Sequence, residues 1–284
     1  MSQLTIKPVT GNIGAEIEGA DLSMPVDPSV AEALRDALWS YQVLFLRDQH
    51  LDIAQLKQVT ALFGPLQRLP YVEPLPDDPL VIGVQKKASD KNVGVFGGNW
   101  HSDFSFLEHP PAGSLLSAVQ VPEIGGDTVW SNQIAAYETL PDDLKRAVEG
   151  RAAIHVGKPH GVKFAPKGKQ RSTIKMVRGD PEADRETVHP AVRAHPETGR
   201  KALFVNPVYT SRLDGMMEAE SEPILDRLFW HATRPEFSCR HRWRAGDLVI
   251  WDNRTTLHFA VNDYDGSDRL LYRTTFSDEQ RPHA

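Results

Sequence analysis

At 284 residues the chain suits one large domain or two small ones, and 40% hydrophobic content is enough for a sizeable core. A net charge of −6 argues against nucleic-acid binding, and the lack of any run of 18 apolar residues excludes a membrane-spanning helix. The first ten residues lack a charged start followed by an apolar stretch, and the lone Cys239 rules out an internal disulfide, so a cytoplasmic protein is expected.

In chain order, residues 4–7 and 14–17 predict short strands around a turn at Gly11. Val30, Leu34, Leu38 and Tyr41 recur at helical spacing over 29–42, and 43–46 reads as a buried strand. Helical spacing returns over 53–63 with Leu51-Asp52 as its start, and 80–84 predicts a strand. Residues 86–99 form a polar, Gly-rich loop expected to deliver His101 onto the next strand. Strands are expected at 114–121 and 128–131 around the turn Gly125-Gly126, followed by short helices at 135–140 and 142–149. Later strands are expected at 187–194, 202–205, 237–243, 248–251, 256–260 and 270–276, with an amphipathic helix at 220–233. Twenty Gly and 21 Pro supply the turns. The pattern predicts a mainly β protein with peripheral helices, a sandwich or barrel, in a single domain over 1–284.

Residues 157–179 carry Lys158, Lys163, Lys167, Lys169, Arg171, Lys175 and Arg178 with no acid among them. So long a connection reads as a mobile basic loop, or as a lid that attracts an anionic substrate.

The residues that carry chemistry are His101-Ser102-Asp103, His258 and Arg269. Two imidazoles and a carboxylate can occupy one face of Fe(II) and leave three positions open for an oxidant. On a strand, residues two apart share a face, so His101 and Asp103 would point at one metal. The pattern alone is weak in a chain with 11 His. Its context strengthens it: Trp100, Phe104, Phe106 and Pro110-Pro111 make the surroundings apolar, and Arg269 and Arg273 share a strand face beyond His258. A guanidinium there could grip the far end of an acidic cosubstrate bidentately. The plainer reading of Arg269 is a surface ion pair with Asp265 or Asp268.

Three segments carry a family resemblance: Asn99-Trp100-His101-Ser102-Asp103, Gly125-Gly126-Asp127-Thr128-Val129-Trp130, and Trp251-Asp252-Asn253-Arg254 with His258, Arg269 and Arg273. With the opening Gly14 to Leu22 and the segment Ala202 to Asn206, they resemble the taurine dioxygenase and 2,4-dichlorophenoxyacetate dioxygenase family over nearly the whole chain. That resemblance implies a double-stranded β-helix (jelly-roll barrel) and an Fe(II)- and 2-oxoglutarate-dependent oxygenase using O2. It implies His101, Asp103 and His258 as iron ligands, with Arg269 and Thr128 holding the far carboxylate of 2-oxoglutarate. Arg273 would meet the substrate's anionic group or support the neighbouring carboxylate. Succinate and CO2 would be the co-products, and retention of Asp103 favours hydroxylation over halogenation.

The substrate pocket departs from the taurine-using pattern. Leu69 and Val72 stand where those members place a His and a Tyr, Gly97 where they place an Asn, and Tyr209 where they place a Phe. A buried ammonium without partners costs several kcal/mol. The expected substrate is therefore a small anion with an apolar body: an alkyl sulfate, a sulfonate other than taurine, or an aryloxy or other carboxylate. Two further classes stay open at this point, a metal-dependent hydrolase and a non-catalytic barrel that binds a small acid. Association into a dimer or tetramer is compatible with the sequence, which selects neither.

Overall fold

A computed structural model describes residues 4–163 and 174–284. Its largest sheet has seven strands in the order Thr5–Pro8, Ala15–Glu18, Val43–Leu46, Leu248–Asp252, Gly113–Gln120, Arg269–Phe276 and Ile82–Lys86. Three smaller sheets accompany it. One is Ser238–His241, Thr128–Asn132 and Thr256–Ala260; another is Thr210–Leu213, Ala152–His155 and Thr187–Pro190; the third pairs Lys201–Leu203 with Val192–Ala194.

Strand alternation sorts the side chains of the large sheet into two layers. Leu44, Leu46, Leu248, Ile250, Leu115 and Phe276 face the helices Pro28–Tyr41 and Ile53–Ala61. Phe45, Leu116, Val249, Trp251 and Leu271 face inward, where they pack on Trp130, Cys239 and Trp243. Both helices start where the sequence supplies an acceptor. Asp27 accepts from Ser29 N, and Asp52 forms a reciprocal capping box with Gln55. The helices Gln133–Glu138, Asp142–Val148 and Glu218–Ala232 cover a third apolar layer around Leu225, Leu228 and Leu257. No described helix is long and apolar enough to cross a membrane. Cys239 is buried and its thiol is pushed up to about 12, which makes it an inert packing residue.

Three local expectations need correction. His101 does not enter a strand: it makes a single β-bridge to His258, and Asp103 lies in the following turn. Phe104 takes the left-handed conformation (φ 46°) and accepts from Leu107 N, which ends pairing after one bridge. The expected strand at 187–194 is two strands in different sheets, separated at Ala191. Pro190 has no N–H, and Ala191 N turns to Arg151 O. The strands Ala152–His155 and Thr210–Leu213 were absent from the sequence reading, being short and without the alternation that marks longer strands.

Behind the turn after Asp103 lies a buried imidazole pair, His155 and His189, with ring centroids 5.5 Å apart. His155 Nδ1 lies 3.0 Å from Ser105 Oγ, and His189 Nε2 donates to Leu107 O at 2.8 Å, so both support the segment that follows Asp103. Burial is the main cause that lowers their pKa values from the ordinary 6.5 to about 3 and about 4; the His189 ring adds to it at His155, and the hydrogen bond to Leu107 partly offsets it at His189. Folded values below unfolded ones mean that the unfolded chain takes up protons first, so stability is complete above about pH 6.5 and falls below it. Between pH 7 and pH 5 the two together remove about 4 kcal/mol, to which His160, His231, His241 and His258, also lowered by burial, add in the total read by urea unfolding. His155→Phe should reduce the loss between the two pH values by about 2 kcal/mol; an unchanged loss would remove this pair from the account.

Candidate active site

The single bridge between His101 and His258 brings their rings to a centroid separation of 4.1 Å, with N–H···O bonds of 3.1 and 2.8 Å running both ways between the two backbones. His101 Nδ1 lies 2.7 Å from Asn99 O, and a carbonyl can only accept, so the proton sits on Nδ1. The lone pair is left on Nε2, which lies 3.5 Å from Asp103 Oδ1; His258 Nε2 lies 3.6 Å from the same oxygen. Potential ligand atoms of all three residues fall within 4.8 Å of one another, and all three are buried.

Asp103 divides its two oxygens. Oδ2 accepts from Arg273 and from Ser114 Oγ (3.1 Å), while Oδ1 is buried with no hydrogen-bond partner among the described residues. An orphaned buried carboxylate oxygen is costly, and this one faces two imidazole nitrogens free to donate lone pairs. That is the donor set of a facial Fe(II) site. Burial pushes the Asp103 carboxyl up, but Arg273 and the two histidines outweigh it and hold the carboxyl well below its usual range. Burial first and the neighbouring His101 ring second push His258 well down, which favours a neutral imidazole.

The fixing of Asp103 extends outward. Arg273 also donates to Ser114 Oγ at 2.9 Å. Asn253 Nδ2 donates to Ser114 Oγ at 3.2 Å, and Trp251 Nε1 donates to Asn253 Oδ1 at 2.8 Å. Ser102 Oγ, between the first two site residues, donates to Asn253 O at 2.7 Å. The Trp251-Asp252-Asn253-Arg254 segment thus braces both chain segments that carry the triad. Beneath it, Asp252 is paired bidentately with Arg254 and lies 3.0 Å from His195. Ser114 had no signal in the sequence beyond its place on a strand, and Asn253 stood within a quoted motif without a role.

Arg269 and Arg273 share the inner face of the strand Arg269–Phe276, in different company. Arg273 packs beside Trp251 and Phe96 and is paired with Asp103, while its Nε has no partner. Arg269 is just as buried yet makes no ion pair among the described residues, and its Nε is also unpartnered. Asp265 pairs with Lys86 and Asp268 accepts from Ala88 N, so the surface-pair reading of Arg269 does not hold. Its guanidinium lies between the rings of Trp243 and Tyr264, at 5.9 and 5.8 Å. Burial lowers its pKa, partly offset by Tyr264. Trp243 Nε1 donates to Thr128 Oγ1 at 3.0 Å, which places Thr128 in the same corner. Gly126 belongs there because a Cβ on it would stand 3.2 Å from Tyr264 and 3.3 Å from Arg269, at φ +72°. The corner is a buried cation with hydrogen-bonding capacity to spare, suited to a carboxylate brought by a ligand.

Leu69, Val72 and Tyr209 meet in one apolar cluster with Phe104, Phe106 and Ile174. The Phe106 and Tyr209 rings lie 5.0 Å apart, and burial first and the Asp103 charge second push the Tyr209 hydroxyl pKa up. Gly97 has φ +79°, and a Cβ there would approach His101 Cε1 to 3.2 Å, so this backbone lies against the ligand ring itself. Of the basic stretch at 157–179, Lys167, Lys169 and Arg171 lie outside the described residues. Lys158 donates to Thr210 O and Lys175 pairs with Glu73.

The Ser114 hydroxyl is the smallest separable part of this arrangement. Ser114→Ala should weaken Mn(II) or Co(II) binding about tenfold without unfolding the protein. Competition titration against a chelating dye would measure it, and unaltered affinity would mean that Arg273 alone fixes Asp103.

Comparison with known proteins agrees with the geometry. The sequence profile described as taurine catabolism dioxygenase TauD, TfdA family matches residues 5–275. An alkylsulfatase of Acinetobacter baylyi is 37% identical over 98% of this chain and 86% of its own length. An alpha-ketoglutarate-dependent sulfate ester dioxygenase of Pseudomonas putida is 36% identical over 98% of this chain and 90% of its own. The crystal structure of a taurine dioxygenase from Burkholderia xenovorans superposes with a TM-score of 0.79 at 34% identity, covering 98% of this chain and 94% of that one. The chain belongs to the TauD/TfdA family and is an Fe(II)- and 2-oxoglutarate-dependent dioxygenase.

Proposed function

We propose that this dioxygenase hydroxylates a small organic anion with an apolar body: an alkyl sulfate, a sulfonate other than taurine, or an aryloxy or other carboxylate. The observation that carries the reading is the pairing of Arg273 with an apolar wall of Leu69, Val72, Phe104, Phe106 and Tyr209. Leu69 and Val72 also line an open groove of about 580 Å³ whose apolar floor includes Tyr71, Pro74, Met176 and Val177 and whose remaining lining carries the charged Arg68, Glu73 and Lys175. The names of the two sulfate-ester relatives support the sulfate end of this range. The reading includes a jelly-roll double-stranded β-helix as a single domain over 1–284, action in the cytoplasm, and a lid at 157–179. The lid idea is supported by the stems of that segment: Val177 N donates to Tyr71 O, and Glu73 N to Lys175 O, beside the apolar wall.

In this scheme His101, Asp103 and His258 would hold Fe(II). Iron with 2-oxoglutarate and O2 supplies the oxidising power for C–H hydroxylation, giving succinate and CO2. Arg269 and Thr128 fix the far carboxylate of 2-oxoglutarate. Arg273 keeps one amino group on Asp103 and Ser114 and turns its remaining N–H groups to the substrate anion. The wall excludes water and presents one carbon to the metal. A hydroxylated carbon bearing a sulfate or ether oxygen then collapses to a carbonyl and releases that oxygen with its substituent.

The test is a panel of alkyl sulfates, sulfonates including taurine, and aryloxy acids, assayed for iron-dependent succinate release with a His101→Ala control. An anion with an apolar body should stimulate turnover, taurine should not, and the control should be silent. Best turnover with taurine, or none with any anion, would overturn the reading.

A further inference from the structure

Lys86 is 2% exposed, an uncommon position for a lysine, and it forms the direct cross-strand pair of Arg269. Paired residues on adjacent strands project to one face, so two cations stand side by side there. Their charges are handled differently. Lys86 Nζ lies 2.5 Å from Asp265 Oδ1, donates to Asn262 Oδ1 at 2.7 Å, and stands 4.4 Å from the centre of the Tyr264 ring. Arg269 has no carboxylate among the described residues. The three residues that Lys86 grips belong to one loop, 262–265, and the rest of that loop shapes the corner around Arg269. Asp263 Oδ1 accepts from Gly126 N at 2.8 Å, two residues before Thr128, and the Tyr264 ring lies against the guanidinium. Asp265 Oδ2 also accepts from Asn92 N, tying in the loop that leads to His101.

We infer that Lys86 is a positioning residue for 2-oxoglutarate: by pinning loop 262–265 through Asp265 and Asn262, it sets Tyr264 and the Gly126 turn so that Arg269 and Thr128 converge on the cosubstrate's far carboxylate. The inference rests on the assignment of that carboxylate to Arg269. It separates positioning from simple charge, because the loop is held by a neutralised pair. Lys86 contributes geometry to the corner and leaves the uncompensated positive charge to Arg269.

Two substitutions distinguish these effects. Lys86→Met removes the pin together with a positive charge. Asp265→Asn releases the same pin, removes a negative charge, and sits on a half-exposed side chain that tolerates the change. Anaerobic calorimetric titration of 2-oxoglutarate into the Fe(II)-loaded protein should show about tenfold weaker binding in both variants. Fe(II) affinity and the KM of the organic substrate should stay within about twofold of the parent. Unchanged or tighter 2-oxoglutarate binding in Asp265→Asn would overturn the inference, since it would leave through-space charge as the only effect of Lys86. Equal losses of Fe(II) and 2-oxoglutarate affinity would also overturn it, as general damage to the site. Arg269→Ala serves as the reference. If that variant binds 2-oxoglutarate normally, the carboxylate assignment itself fails; if it binds weakly while the other two bind normally, only the role of Lys86 fails.

Discussion

Asp103 is a carboxylate withdrawn almost wholly from water, and the arrangement of the site follows from the cost of placing it there. Burying a lone charge costs several kcal/mol even after relaxation, and the attraction of partners offsets that only with good geometry. Here the geometry serves one oxygen. Oδ2 takes a guanidinium and a hydroxyl, while Oδ1 is left facing two imidazole nitrogens. An arrangement evolved for stability alone would satisfy both oxygens. Leaving one open favours any divalent cation that supplies the missing charge, so metal binding and the energetics of the core are one problem at this residue.

The same constraint divides the work of two arginines on one strand. Arg273 must stay near Asp103, because without it the buried carboxylate would be nearly uncompensated. Arg269, four residues earlier on the same face, is about 13 Å away along the strand and meets no carboxylate among the described residues. Strand periodicity thus yields one cation paired with the buried Asp103 carboxylate and another that keeps hydrogen-bonding capacity to spare. Aromatic rings around Arg269 keep water from occupying it cheaply while leaving its N–H groups free.

Much of this was legible in the sequence, for identifiable reasons. The strands Val43–Leu46, Thr256–Ala260 and Leu248–Asp252 stand where apolar runs placed them, because buried strands leave little else for such runs to do. His101, Asp103, His258, Thr128 and the two arginines stand out in the sequence because their residue types are rare in combination and chemically specific, and the structure brings the first three within 4.8 Å of one another. The backbone that unites the triad was misread: a single bridge and a left-handed Phe104 give a convergence that two-residue alternation only imitates. Ser114, Asn253 and Lys86 escaped notice for a different reason. Each acts through a partner distant in sequence, such as the 176 residues between Lys86 and Asn262, and no local pattern records that.

Substrate choice lies furthest from what sequence patterns constrain. Leu69 and Val72 sit on an irregular segment whose position is fixed by the described end of the basic stretch, through the Val72–Met176 bridge and the Val177 N to Tyr71 O bond. The other stem joins the same cluster. His160, buried and pushed below its ordinary pKa by burial, stacks on Tyr71 and Phe104 while its Nδ1 donates to Val177 O. Phe104 follows Asp103 directly. The apolar wall, the described ends of the basic segment and the turn carrying Asp103 therefore form one packed unit. A close-packed unit of this kind moves as a whole or not at all. Exchanging Leu69 or Val72 for a larger or polar residue therefore disturbs the neighbouring stems and the turn at Asp103 as well as the wall itself.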